Sequence, residues 1–439
     1  MTLILRNVRP WGGAPADLVV AGGVIAAVGG EVARGSDEID GRGAVVLPGL
    51  HDHHLHLLAL AARRESVDLS ALLDPVAITA RLRASPAPFI RAVAYDERAV
   101  GLPDAAMLDS WVADRPLRLQ DRTGALWVLN SAALALLPPS LPAGAERDPS
   151  GRPTGRFWRE DRWLGEALGQ AAPDLAALGR ELAGYGLTAL TDAGAGNGPG
   201  EAEVLAGALP QRLTLLGSEA LPPGEGYARG PLKLLFDERD PPPVEAIAAR
   251  IAAGRAQRRN VAAHCVTEGE LALYLAALDI AGGARRGDRI EHGGMIPAEF
   301  IPVIAAAGLT VVTNPAFLHD RGDRYRTEVE SLDDLYRIGS LAAAGIALLA
   351  GSDAPYASPD PWVGIRAARD RTTAAGHVLA PAERIGAAAA LALYCAGRIE
   401  PGAPADLILC EGGLADVLAD CDRDRVRMTL IGGEVVHGG

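Results

Sequence analysis

Short apolar runs alternate with alanine-rich stretches of helical pattern from about residue 185 onward, where segments such as "PVEAIAARIAAGRAQ" lie between the runs. This alternation predicts β-strands and α-helices that follow one another in a parallel sheet. Adding "GAVVLPGLHDHHLHL" as a first strand makes eight strands, the number that closes a (β/α)8 TIM-like barrel. The other predicted strands lie within residues 187–194, 212–218, 231–237, 260–265, 289–294, 309–315 and 346–354.

The two ends of the chain have a different pattern, in which Gly-Gly pairs separate short β-branched runs. We therefore predict an α/β protein in which residues 1–46 and 400–439 together form a small β-sandwich domain. The barrel takes residues 47–399. The gap between its first and second strands, about residues 57–186, is too long for one crossover and predicts an insertion.

Composition narrows the class of protein. The net charge of −13 over 439 residues argues against binding a nucleic-acid backbone, which needs clustered Lys and Arg. No basic leader and no apolar run of about 20 residues is present, so we expect a cytoplasmic protein without a membrane partner. Its expected partner is a small-molecule substrate, and a homo-oligomer is compatible with the sequence.

Side chains that can bind a metal ion fall at the predicted carboxyl ends of the barrel strands, where barrel enzymes carry their active sites. Four of the nine histidines lie within the first strand, as two overlapping His-x-His pairs, His51 with His53 and His54 with His56. Either pair could hold one cation, but the pairs face opposite ways, and alternation alone does not choose between them. Taken over all eight strands, the candidate metal ligands at this end of the barrel, its mouth, are His54, His56, Lys233, His264, His292 and Asp353.

The chain contains a single lysine, Lys233, while its other 41 basic residues are arginines. Arginine replaces lysine easily as a solvated surface charge, but a guanidinium cannot act as a reactive amine. Survival of one lysine by chance under a compositional bias is the alternative. Lys233 lies on the predicted fourth strand, and the composition alone leaves both interpretations open.

Several motifs, in order along the chain, resemble those of the amidohydrolase superfamily. "PGLHDHHLH" resembles its PGxxDxHxH signature, "RIEHGG" its sixth-strand histidine motif and "GSDAP" its eighth-strand aspartate motif. "EPGAPADLIL" is similar to the segment that returns to the sheet domain. "AYDE", "LNSAAL" and "GRPTGRFWRE" resemble the insertion of the amidohydrolase-3 branch, which includes N-substituted formamide deformylases.

This resemblance selects His54 and His56 as the metal-binding pair and leaves His51 and His53 without a metal role. It implies one zinc ion, or two ions bridged by a carbamate that carbon dioxide forms on Lys233. Bound zinc lowers the pKa of water to about 7 and polarises a carbonyl. Asp353 would take the water proton and pass it to the departing nitrogen, which implies metal-dependent hydrolysis of a C–N bond in an amide, N-formyl or cyclic amide substrate.

The resemblance also implies substrate contacts from the insertion, at Asp96, Arg122 and Asn130. Ala125 stands where the family commonly carries a histidine, so substrate identity does not transfer. One alternative is a deaminase of the same superfamily with a single metal ion and a fifth-strand glutamate; Glu268 lies four residues after His264, whereas a His-x-x-Glu spacing would suit that role better. A non-enzymatic scaffold ranks last because all six ligand positions are filled.

Overall fold

The computed structural model describes residues 2–30, 37–70, 72–169, 173–236 and 240–438. The chain divides into two compact units, which are described separately below. One contains residues 1–57 and 175–439, and the other contains residues 58–174.

Strands in the described ranges are numbered in chain order. They are β1 Thr2–Pro10, β2 Ala16–Ala21, β3 Val24–Val28, β4 Asp37–Asp40, β5 Val45–Pro48, β6 Leu50–Leu55, β7 Val67–Asp68, β8 Ile90–Tyr95, β9 Leu117–Asp121, β10 Leu126–Leu129, β11 Ala145–Arg147, β12 Pro153–Trp158, β13 Leu187–Asp192, β14 Arg212–Gly217, β15 Ala228–Leu234, β16 Val261–Cys265, β17 Arg289–His292, β18 Thr310–Thr313, β19 Ala347–Ala350, β20 Leu407–Cys410, β21 Val426–Ile431 and β22 Glu434–His437.

Helices are numbered in the same way. They are α1 Leu57–Arg64, α2 Pro75–Arg83, α3 Ala105–Trp111, α4 Ser131–Leu134, α5 Asp161–Ala167, α6 Leu175–Gly184, α7 Pro199–Leu205, α8 Val244–Ala256, α9 Glu268–Ile280, α10 Phe300–Ala307, α11 Ala316–Asp320, α12 Gly322–Glu328, α13 Ile338–Ala343, α14 Pro361–Asp370, α15 Ala387–Ala392 and α16 Leu414–Asp420. In the described part of the chain, every helix is too short or too polar to serve as a membrane span.

Within the described ranges of the first unit, eight parallel strands form the predicted barrel sheet in the order β6, β13, β14, β15, β16, β17, β18 and β19. Each neighbouring pair is parallel, as the βα alternation predicted. The first and last strands meet just beyond β19, where the backbone N–H of Asp353 donates to the carbonyl of His54 at 2.6 Å. The prediction of a TIM-like barrel is therefore confirmed.

Strand alternation decides which side chains face the barrel interior. Leu232 and Leu234 lie in the apolar core between strands and helices, so Lys233, between them, faces inward. Cys265 and Ile290 pack in the same outer core, which turns His264 and Glu291 inward. Because neighbouring residues on a strand face opposite ways, packing of the apolar side chains in the outer core directs the polar side chains between them into the barrel.

The two ends of the chain share one sheet. Its strands run in the order β22, β21, β20, β5, β1, β2 and β3, and β4 pairs with β1. β20 pairs antiparallel with β5, with Leu407 opposite Pro48, so the C-terminal strands join the N-terminal ones immediately before the first barrel strand begins. Leu5, Val46 and Leu430 are among the buried residues of the common core. This composite sheet was predicted from the matching patterns at the termini.

The second unit has a sheet of its own, in the order β11, β12, β10, β9, β8 and β7. β8 and β9 pair in parallel, whereas β9, β10, β11 and β12 pair antiparallel. Leu82 of α2 and Leu108 of α3 pack in its core with Leu119. The long gap after the first barrel strand therefore folds as a compact α/β unit, as the insertion prediction requires.

Candidate metal centre

Among the described residues, His54, His56 and Asp353 form a group whose ligand atoms all lie within 4.8 Å of one another. Nε2 of His56 lies 3.1 Å from Oδ1 of Asp353, and Nε2 of His54 lies 3.5 Å from the same oxygen. Two imidazoles and one carboxylate are the donor set of many zinc sites. His54 is fully buried, while the His56 side chain is 27 % exposed, so the group is open to solvent on one side.

Close approach of the backbone places Asp353 against the first strand. A Cβ on Gly351 would lie only 2.4 Å from the backbone nitrogen of His54, so no larger residue fits there. Oδ1 of Asp52 accepts from the backbone N–H groups of both His54 and Ser352 at 3.0 Å, which ties the two chain segments together. Asp353 adopts a left-handed conformation with φ 56°, a conformation that costs a non-glycine residue about 1 kcal/mol or more.

His264 and His292 lie beside this group. The ring centroid of His292 lies 4.5 Å from that of His54 and 4.5 Å from that of His264. Alternation would place His292 on the outer face with Ile290, but its left-handed φ of 71° breaks the alternation at the end of the strand. The His264 side chain is 27 % exposed. The predicted histidines 54, 56, 264 and 292 thus lie in one cluster of neighbouring rings.

Lys233 is the buried cationic partner of this cluster. Its side chain faces the barrel interior and the residue is 3 % exposed. Among the described residues no hydrogen-bond partner reaches its Nζ. Burial lowers the pKa of Lys233, although Glu291 and Asp353 oppose that shift. A lower pKa leaves a larger fraction of the amine neutral, and only the neutral amine can add to carbon dioxide.

Burial and neighbouring charges set the protonation states of the cluster. Burial, followed by the charge of Lys233, lowers the pKa of His264 to about 3 and also lowers the pKa of His54. Burial would raise the pKa of Asp353, but the adjacent His56 and other histidines hold it below its usual range. The imidazoles of His54 and His264 are therefore neutral and Asp353 is ionised at neutral pH, which are the forms that bind metal ions.

Two side chains that the sequence reasoning missed hold the histidine rings in place. Nδ1 of His54 hydrogen-bonds to Oε2 of Glu291, a fully buried residue. Nδ1 of His292 lies 2.8 Å from Oδ1 of Asn314, whose amide nitrogen donates to the carbonyl of Gly351 at 3.0 Å. The sequence did contain a signal for both residues. Each is a charged or amide residue at the end of a buried strand, and Glu291 directly precedes the candidate ligand His292.

The excluded pair, His51 and His53, lies in a different environment. Their ring centroids are 3.8 Å apart, and Nε2 of His51 lies 2.8 Å from the hydroxyl of Thr191. Burial lowers the pKa of His51 to about 3. Neither belongs to the group of close ligand atoms found among the described residues.

The predicted substrate contacts lie in the second unit. Arg98 donates to both carboxylate oxygens of Asp96, and Nε of Arg122 lies 4.0 Å from Oδ1 of Asp96. Nη2 of Arg122 donates to Glu97 at 2.8 Å. A substrate contact by Asp96 or Arg122 stays a prediction.

The side chain of Asn130 hydrogen-bonds to four backbone groups. Its Oδ1 accepts from the backbone N–H groups of Leu117 and Ala133, and its amide nitrogen donates to the carbonyls of Val112 and Arg115, all at 2.9 Å. The residue is fully buried and caps α4. These four bonds use its hydrogen-bonding capacity, so the geometry favours a structural role over the predicted substrate contact.

The donor set at the barrel mouth fits a metal ion. Among the described residues Nε2 of His54, like Nζ of Lys233, has no hydrogen-bond partner although it is buried. Buried polar atoms of native proteins normally have hydrogen-bond partners, so a buried ring nitrogen without one, within a group of possible metal ligands, is available to bind an ion. A cation bound by His54, His56 and Asp353 would give Nε2 of His54 the partner that it lacks.

Comparison with known proteins agrees with the resemblance that the sequence motifs indicated. Residues 37–437 match the sequence model of the amidohydrolase family. An N-substituted formamide deformylase from Arthrobacter pascens is 26 % identical over an alignment of 489 positions, which covers 90 % of this chain and 89 % of that protein.

Solved structures share the fold. An uncharacterised metal-dependent hydrolase from Pyrococcus horikoshii OT3 superposes with a TM-score of 0.74 at 18 % identity, covering 94 % of this chain and 98 % of the other. A zinc-bound adenosine deaminase from Xanthomonas campestris superposes with a TM-score of 0.55 at 14 % identity, covering 99 % and 92 %. The barrel architecture is thus shared with a metal-dependent hydrolase and with a zinc-bound deaminase.

Proposed function

Since this chain belongs to the amidohydrolase family and is a metal-dependent hydrolase of C–N bonds, we propose that its substrates are amides, N-formyl amines or cyclic amides. The amidohydrolase-3 resemblance and the formamide deformylase relative both support this choice of substrate class. The cytoplasmic location and the oligomeric state stay predictions from the sequence.

The group of His54, His56 and Asp353, with Lys233 buried beside it, is the observation that carries the proposal. We propose that these three residues, with His264, His292 and Lys233, are the ligands of one or two zinc ions. A metal ion bound there supplies Lewis-acid chemistry, lowering the pKa of water and polarising the scissile carbonyl.

Asp353 is the residue proposed to move the proton. Its carboxylate is ionised, is held at the mouth by the backbone bond to His54, and points at the same place as the free Nε2 of His54. It can therefore accept a proton from the attacking water and release it to the departing nitrogen, as a general base and then a general acid. Nε2 of His56 lies 3.1 Å from the same carboxylate, so the two side chains are close enough to hold one metal ion between them.

Lys233 is proposed to carry a carbamate when the site is fully loaded. The neutral amine adds to carbon dioxide, forms an N–C bond and loses one proton, which yields an anionic carboxylate at the end of the side chain. This change would turn a buried cation without a hydrogen-bond partner among the described residues into an anionic bidentate ligand. It accounts for a lysine at this position in a chain that otherwise uses only arginine.

The deaminase alternative needs a free carboxylate close to His264. Glu268 is exposed at the first turn of α9, and Glu270 has its Oε2 engaged by the backbone N–H groups of Val266 and Thr267 at 2.7 and 3.1 Å. Its Oε1 lies 3.9 Å from Nε2 of His264. Glu270 is thus used to cap a helix, which favours the hydrolase over the deaminase.

An aromatic cluster adjoins the polar group and bears on the substrate. The Tyr356 ring centroid lies 5.8 Å from that of His56, and Tyr356 packs with Phe317, Tyr325 and Tyr336. Burial raises the pKa of Tyr325, and the Asp353 charge contributes to that shift. The Tyr356 ring, backed by this cluster, would contact an apolar substituent on the substrate nitrogen, which favours N-substituted amides.

Product analysis tests the proposal. The zinc-loaded protein should be incubated with panels of N-formyl amines, N-acyl amines, cyclic amides and amino-substituted heterocycles. We expect release of a carboxylate and an amine, abolished by a chelator and restored by zinc. Release of ammonia alone from the amino heterocycles, or failure of the purified protein to bind stoichiometric metal, would overturn the proposal. Asp353→Asn is the inactive control.

A further inference from the structure

Glu291 joins a candidate metal ligand to Arg289, whose side chain is 11 % exposed. It lies on β17, faces the barrel interior and is fully buried. Nε of Arg289 donates to its Oε1 at 2.6 Å, and Nη2 of Arg289 donates to its Oε2 at 3.0 Å. Nδ1 of His54 hydrogen-bonds to the same Oε2. Nη2 of Arg289 also donates to the carbonyl of His53 at 2.9 Å, so the guanidinium holds both the carboxylate and the strand that carries the histidine.

These contacts determine which nitrogen of His54 carries its proton. An ionised carboxylate accepts hydrogen bonds and cannot donate one. The two hydrogen bonds from the Arg289 guanidinium make Glu291 the carboxylate partner of an ion pair, which favours its ionised form. A neutral imidazole has one proton, and opposite a carboxylate that proton must lie on Nδ1. The lone pair of His54 is then on Nε2, the atom 3.5 Å from Oδ1 of Asp353.

We propose that Arg289 and Glu291 are positioning residues that hold His54 in its Nδ1-protonated form and thereby present Nε2 to the metal ion. This inference rests on the proposed function, because it concerns the same metal site. Carboxylates that orient metal-binding histidines in this way contribute 10–100-fold to metal affinity in other proteins, on the order of 1–3 kcal/mol.

A second buried ion pair in the same barrel provides a matched control. Nη2 of Arg255 lies 3.2 Å from Oδ2 of Asp288, the residue just before β17, and Asp288 is as buried as Glu291. Asp288 accepts from the backbone N–H groups of Val261 and Arg285 at 3.0 and 2.8 Å. These partners are backbone groups and an arginine, not candidate metal ligands, so substitution of Asp288 reports what loss of a buried carboxylate does to stability alone.

Metal affinity of Glu291→Gln tests the inference. The amide has no charge and can rotate to donate to Nδ1, which would move the His54 proton to Nε2. We expect the zinc dissociation constant, measured by competition with a chelator, to weaken about 10–100-fold. The visible spectrum of the cobalt-loaded variant should also change. Asp288→Asn should lower the melting temperature without either effect. Unchanged zinc affinity and an unchanged cobalt spectrum in Glu291→Gln would overturn the inference.

Histidine tautomers in the wild-type chain provide a measurement that does not depend on folding of the variant. In ¹⁵N-histidine-labelled, metal-free protein, long-range ¹H–¹⁵N correlations identify the protonated nitrogen of each ring. His54, assigned by its absence from His54→Gln, should be protonated on Nδ1. Protonation on Nε2 or on both nitrogens would overturn the inference even if the wild type binds zinc. Failure of the wild type to bind zinc would instead count against the proposed function.

Discussion

Lys233→Met separates a reactive lysine from a structural cation. Methionine preserves the apolar stem and the approximate volume of the side chain but removes the amine. In the metal-free protein the Nζ of Lys233 is buried, and no partner reaches it among the described residues. A buried polar group left without a hydrogen bond costs about 1–3 kcal/mol. The substitution should therefore stabilise the metal-free protein by about this amount.

The expected shift in melting temperature follows from the size of the unit. The barrel and the composite sheet contain roughly 320 residues, for which the entropy of unfolding is about 0.7 kcal/mol per degree. A gain of about 1–3 kcal/mol then raises the melting temperature of the chelator-treated variant by about 1–4 °C. Differential scanning calorimetry at one scan rate measures this shift.

In the metal-loaded protein, Lys233→Met should instead be harmful and reduce both zinc content and turnover. Without the amine no carbamate forms, so bound zinc should fall from about two equivalents towards one, measured by atomic emission. Turnover of the best substrate should fall at least about 100-fold, which is the scale of losing one electrostatic stabiliser of the transition state. Leu234→Met, at the next position and facing the outer core, is the control that should keep both metal and activity.

Two results would refute this reasoning. If Lys233→Met destabilises the metal-free protein, Lys233 has a stabilising partner and acts as a structural cation. If the variant keeps its full zinc content and turnover, the lysine takes no part in the metal site. One zinc equivalent in both wild type and variant would favour the single-metal deaminase alternative.

Three further substitutions test other parts of the site. Asp353→Asn, assayed in excess zinc, should reduce kcat about 10²–10⁴-fold through loss of the proton acceptor, and a loss below tenfold would contradict that role. Asn314→Ala frees the Nδ1 of His292 and should weaken zinc binding about 10–100-fold in a chelator competition; unchanged binding would show that the ring needs no such anchor. Asn130→Ala removes four buried hydrogen bonds and should cost about 3–5 kcal/mol in thermal unfolding. Loss of activity in Asn130→Ala without loss of stability would instead make Asn130 a substrate contact.

The barrel was predictable because its signal is local. A strand buried on both faces of a parallel sheet must be an apolar run, and each run here lies between helical stretches. Residues such as Lys233 and His264 interrupt those runs at the strand ends, where an unpaired polar side chain would be costly without a function. The candidate ligands could therefore be identified one by one along the chain.

The partners that orient the ligands were not predictable in this way. Glu291 meets His54 across 237 positions of sequence, and that meeting depends on the register between two strands that are not neighbours in the sheet. Asp52 joins His54 to Ser352 only because the barrel closes between its first and last strands. The left-handed conformation that turns His292 into the site also has no signature in the sequence, because the residue is not a glycine.

The sequence by itself thus determined the order of strands and helices, the composite terminal sheet and the set of polar residues at the barrel mouth, since periodicity and burial act over a few neighbouring residues. Alternation left the choice of histidine pair open and the motif resemblance made it, whereas the tertiary structure decided which side chains hold the rings. It also decided that residues 58–174 form a separate unit. These outcomes depend on register, barrel closure and backbone conformation, which come from contacts between residues far apart in the chain.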